Sequence, residues 1–66
     1  MKRWVYDIYL DDLDSGNLVG ENCEDEDFET AEEARRDARG FIVGELCEEY
    51  NRKEEEFRIK CYQIEI

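Results

Sequence analysis

TAEEARRDARGFIVGELCEEY, residues 30–50, is the stretch that decides the fold, because it alone carries a long helical period. At roughly 100° per residue, Ala31, Ala34, Ala38, Phe41, Ile42, Leu46 and Tyr50 share one broad face, and Glu32, Glu33, Arg36, Asp37, Cys47 and Glu48 fall largely opposite. The pattern predicts an amphipathic helix whose apolar side must be covered by the rest of the chain. Thr30 and Glu33 have capping-box spacing: the hydroxyl accepts from an early amide, the carboxylate reaches back, and the first-turn acids suit the helix dipole. Gly40 and Gly44 each cost about 1 kcal/mol relative to Ala in a helix interior. They point either to close backbone packing or to a loosened middle. Asn51 fits a left-handed stop.

The segments on either side read as strands. From Trp4 to Leu10 the period is two, with Trp4, Tyr6, Ile8 and Leu10 on one face and Val5, Asp7, Tyr9 and Asp11 on the other. The first set is the expected core face, because the second carries carboxylates that must stay hydrated. Residues 11–17, DDLDSGN, punctuate a hairpin. Leu18–Cys23 is a short second strand weakened by Gly20 and Asn22, and is expected at an edge. Phe28, two residues before the cap, is expected to plug the start of the helix. In residues 56–66 the apolar set changes face, from Phe57, Ile59 and Cys61 to Tyr62, Ile64 and Ile66. A bulge, or burial on both faces of a central strand, would account for the change. Strand, crossover helix and parallel strand make a standard connection. The expected fold is therefore a single α+β domain over residues 1–66, ββαβ, with a three-stranded sheet in the order 2-1-3 and one helix across a face. The meander order 1-2-3 is the alternative.

Composition narrows the function classes. At 66 residues the core is near the smallest that holds a fold unaided. Twenty acidic and nine basic residues give a net charge of −11. That balance argues against direct contact with nucleic acid or an anionic membrane, which require clustered Lys and Arg. It favours a basic partner, a cation or a highly saline solvent. Apolar residues make up 41% of the chain, which separates it from acidic tails that cannot fold. No apolar run reaches membrane-spanning length and no signal peptide is evident, so the cytoplasm is the expected compartment.

Cofactor and catalytic chemistry is not expected. Cys23, Cys47 and Cys61 are an odd set without CxxC spacing, expected to be reduced, and His is absent. Asp11, Asp12 and Asp14 invite a calcium reading, but an EF-hand register starting at Asp12 puts Gly16 one place early and Cys23 where the bidentate Glu belongs. The chain has neither a nucleophile elbow nor a phosphate-cradling glycine pattern.

The informative feature is the distribution of charge. From Trp4 through Ala34 there are twelve acids and no Lys or Arg; the other positions hold nine bases and eight acids. Crowded like charges cost a few tenths of a kcal/mol per close pair, and a field of that sign accelerates association with a basic partner. The expected docking residues are Asp11, Asp12, Asp14, Glu21, Glu24, Asp25, Glu26, Asp27 and Glu29. They would meet a basic, nucleic-acid-binding protein surface, with spaced carboxylates imitating a phosphate backbone. In size and charge the chain resembles the small phage-borne inhibitors of host defence nucleases, a likeness of composition that carries no residue roles. The alternative is a structural or self-associating domain, a homodimer for instance, that uses the open sheet face through Val5, Tyr9, Tyr62, Ile64 and Ile66.

Overall fold

The computed structural model describes residues 1–10, 18–22 and 26–66. Strand β1 (Lys2–Leu10) is flanked by β2 (Leu18–Glu21) and β3 (Phe57–Glu65), giving the sheet order β2-β1-β3. Both neighbours run antiparallel to β1. They are therefore parallel to each other, one strand apart, and the helix crosses between them. Order 2-1-3 is the observed order, and the meander does not occur.

The helix begins as α1 (Ala31–Phe41), continues through a π turn at Ile42–Leu46 and ends in one α turn, Cys47–Tyr50. Thr30 caps it, its Oγ1 accepting from Glu33 N at 3.1 Å. Asn51 ends it in the left-handed region, at φ 55°. The core follows from the two periods: Tyr6 and Ile8 of β1 meet Ala34, Ala38, Ile42 and Leu46 of the helix and Phe57 of β3, all buried. Trp4, Leu10, Phe28, Phe41 and Ile59 pack around them. The alanines let the helix lie close to the sheet, and burial of each larger side chain contributes about 1.5–3 kcal/mol.

Four details depart from the sequence reading. Gly40 and Gly44 are exposed and nothing lies near the position of a Cβ on either, so close packing does not explain them; Gly44 sits inside the π turn, which is the loosened middle. A π turn winds more slowly than an α-helix. This brings Cys47, expected on the polar side, into contact with the core, while the last turn has no buried residue and Tyr50 is exposed. On the sheet, β3 has neither a bulge nor a central position. Its register against β1 is unbroken from Lys2↔Glu65 to Leu10↔Phe57, and it forms an edge. The change of apolar face is a change of environment: Phe57, Ile59 and Cys61 lie under the helix, and Tyr62, Ile64 and Ile66 stand on the uncovered side. The bulge is in β2 instead, where the register steps from Ile8↔Gly20 to Tyr9↔Leu18 and leaves Val19 as the extra residue. Last, Val5 is buried despite facing away from the helix.

Candidate interaction surface

The face of the sheet away from the helix carries Arg3, Val5, Asp7 and Tyr9 of β1, with Ile64, Tyr62, Lys60 and Arg58 of β3 opposite them in turn. Glu21 and Leu18 of β2 lie opposite Asp7 and Tyr9. After Glu21 the chain stays beside β1 without forming regular strand. Asn22 substitutes its side chain for a backbone partner, its Oδ1 accepting from Tyr6 N at 2.9 Å. Its Nδ2 donates to Glu26 O at 2.7 Å, which fixes where the chain returns. Phe28 then pairs with Trp4 through two backbone bonds of 2.8 and 3.0 Å, and its ring sits 6.2 Å from that of Tyr6. The plug at the start of the helix is thus also a strand partner.

This path raises Glu26 and Asp27 as a wall beside β1. With Asp7 and Glu21 they border a shallow hollow of about 490 Å³ whose apolar lining is Val5, Tyr62, Ile64 and Ile66. Val5 is its floor, 7% exposed, while Tyr62 and Ile64 at 38% and Ile66 at 67% stand open. Burial first, and the Asp7 carboxylate second, hold the Tyr62 phenol above its ordinary pKa. The phenol therefore stays a donor, reaching Asp7 Oδ1 at 3.5 Å.

The two residue sets that the sequence offered as separate surfaces are joined here. Glu21, Glu26 and Asp27 from the acidic set meet Val5, Tyr62, Ile64 and Ile66 from the sheet-face set in one place. Tyr9 stands apart, at the far end of the face beside Leu18 and Arg58. Glu29 lies outside the hollow. Asp11, Asp12, Asp14, Glu24 and Asp25 lie outside the described residues.

Arg3 is the contact that sequence reasoning missed. Its Nε donates to Asp27 Oδ1 at 2.7 Å and its Nη1 is 4.0 Å from Glu29, so both acids are partly compensated. Glu21 and Glu26 make no ion pair with the described residues. Asn22 and Tyr6 were missed in the same way. Tyr6, on the opposite side, donates its phenol to Asp37 Oδ2 at 2.7 Å and so ties β1 to the helix. The available signal was chemical: a buried tyrosine hydroxyl requires a partner.

Lys60 shares this face, opposite Asp7, and the helix carries a separate group of bases. Arg35, Arg36 and Arg39 are exposed on the helix, and Arg35 and Arg39 join Arg58 around a second hollow over Phe57 and Ile59, on the β3 side. Cys47 and Cys61 are free and half-buried. Among the described residues no three His, Cys, Asp or Glu side chains converge on a metal-sized site, and no helix is long and apolar enough to cross a membrane. No protein-family description, curated protein or solved structure matches this chain.

Proposed function

We propose that this protein is a non-catalytic interaction module whose open sheet face docks on a basic protein surface. One observation carries the reading: the hollow with Val5 as its floor and Tyr62 and Ile64 in its wall is bordered by Asp7, Glu21, Glu26 and Asp27. Apolar anchors inside a charged rim are what a specific interface requires, since the anchors supply affinity and the rim supplies rate and selection. The occupant that fits is a Lys- or Arg-rich segment presenting one or two apolar side chains. A clustered Lys and Arg patch is the electrostatic footprint of a surface that binds nucleic acid. The fuller form of the proposal is therefore occlusion of a nucleic-acid-binding site, in the manner of the phage inhibitors that the composition resembles.

The test is a capture from lysate at low and high salt, followed by mapping of the captured protein onto this chain by amide chemical shifts. The expected partner is basic, is released by salt, shifts Val5, Tyr62 and Ile64, and is displaced by excess duplex DNA. The variant Glu21→Gln/Glu26→Gln should bind several-fold more weakly. Shifts confined to the helix, or equal binding by the variant, would refute the assignment to this face; a partner indifferent to DNA would remove the occlusion mechanism alone.

A further inference from the structure

One backbone bond fixes the orientation of every peptide group along β3. Ile66 N donates to Met1 O at 2.8 Å, and the antiparallel register with β1 is continuous. In such a ladder the N–H and C=O of one residue point to the same side, and the side alternates along the strand. The even-numbered residues of β3 thus face β1, while Phe57, Ile59, Cys61, Gln63 and Glu65 direct their backbone groups outward. Phe57 N already donates to Glu54 O. From Ile59 to Glu65 the outward groups have no partner among the described residues. The edge has neither a proline nor a bulge, and its protection is limited to the charges of Arg58, Lys60 and Glu65.

We infer that this edge pairs with the β3 edge of a second copy, antiparallel, about a twofold axis at Tyr62. Three observations select this occupant. Antiparallel pairing about Tyr62 matches Ile59 with Glu65 and Cys61 with Gln63 of the other copy, and so uses every outward group from 59 to 65. It also keeps like charges apart: Lys60 meets Ile64 and Arg58 meets Ile66, whereas a parallel pair would set each base against itself. The third concerns the side under the helix. Glu65 of one copy arrives opposite Ile59 of the other, at the hollow that Arg35 and Arg39 of the helix line together with one acid, Glu54. Among the described residues of one copy, Glu65 pairs only with the exposed Met1 ammonium, at 3.5 Å.

The charge distribution fits the same geometry. The six-stranded order 2-1-3-3-1-2 places the acidic β2 sides at the two outer ends. Five strand spacings of about 4.8 Å hold them roughly 24 Å apart, against a Debye length of about 8 Å at physiological salt. Two chains of −11 can therefore associate through this edge. On the open side Tyr62 packs against its own copy, and the two hollows lie side by side on one continuous face. A dimeric module would present two acid-rimmed hollows to a partner, but the edge pairing does not depend on that docking.

Sedimentation equilibrium of the full chain tests the inference. The wild type should show a monomer–dimer equilibrium. Gln63→Pro removes an outward N–H while leaving the bonds to β1, and Glu65→Arg sets bases against bases; each should weaken the dimer roughly ten-fold or more with an unchanged circular dichroism spectrum. Should Gln63→Pro disturb the fold, Glu65→Arg alone decides. A cysteine introduced by Tyr62→Cys, at the axis, should cross-link two copies under mild oxidation with dissolved oxygen, because opposed residues there have Cα atoms about 4.5 Å apart. A wild type that stays monomeric, a dimer indifferent to Glu65→Arg, or a Tyr62→Cys variant that does not cross-link would overturn the inference. None of these results bears on the basic partner, whose binding is read separately.

Discussion

Gly20 shows what a single position can decide. A Cβ built on it would lie 3.3 Å from Leu46 Cδ1 and 3.5 Å from Ile8 Cδ1, so the helix approaches β2 only because that position is bare. Sequence reasoning treated the glycine as an interruption of the strand; it is also where Leu46 and Phe41 of the helix come down on β2. Gly20→Val should destabilise the fold by about 1–3 kcal/mol through overpacking, measured by urea denaturation, and an unchanged midpoint would show that the helix can retreat at no cost. Glu56 illustrates a different residue effect. Its carboxylate accepts from Lys53 N at 2.8 Å and from Arg52 Nη1 at 3.0 Å, and these contacts, the backbone bond first, lower its pKa below the ordinary 4.5. A carboxyl that is more acidic when folded stabilises the protein above its unfolded pKa, and the contribution disappears as the pH falls through the folded value. Glu56→Gln should therefore flatten the acid side of the stability–pH curve below about pH 4.5 and leave its neutral shape alone. A parallel downward displacement at every pH would instead assign Glu56 a role unrelated to its charge.

At the level of elements, the helix boundaries were legible because capping chemistry is local: Thr30 and Asn51 occupy the predicted places. The Thr30 hydroxyl accepts from Glu33 N as expected, while the return bond expected from the Glu33 carboxylate is not seen among the described residues. Thr30→Ala should cost about 1 kcal/mol, seen as a lower melting temperature with the spectrum of the folded state retained; no loss would mean that the first turn is held by Phe28 and Arg3 alone. The middle of the helix was legible only as a pair of alternatives. A glycine says that the backbone is permissive, and the π turn that exploits Gly44 is set by what Ile42 and Leu46 must reach on the sheet. Strand β3 teaches the same lesson. Its two apolar sets could be read from a period of two, but which set meets the helix depends on how far the helix extends over the sheet.

For the whole molecule, charge separation survives folding in a particular form. Glu21, Glu26 and Asp27 stand on the β2 side, and Arg35, Arg39 and Arg58 gather on the β3 side. Self-repulsion in a chain of net charge −11 opposes compactness. Raising ionic strength from about 0.01 to 0.15 M, which shortens the Debye length from roughly 30 to 8 Å, should raise the melting temperature of the isolated protein even as it weakens binding to a basic partner. A melting temperature that falls with salt would mean that attraction between the two sides outweighs the crowding of acids, and would count against an uncompensated field. The sequence by itself determined the α+β class, the helix and its caps, and the sign and asymmetry of the charge; between the strand orders 2-1-3 and 1-2-3 it favoured the first, and the structure decided. Each property so determined follows from periods, caps and charges that a residue carries wherever it is placed. Only the tertiary structure decided that Arg3 restrains Asp27, that Val5 lies buried on the uncovered side, and that acids and exposed isoleucines from distant positions meet around one hollow. Those outcomes depend on strand register and on the path that Asn22 and Phe28 impose beside β1, and register is a property of paired segments that neither segment carries alone.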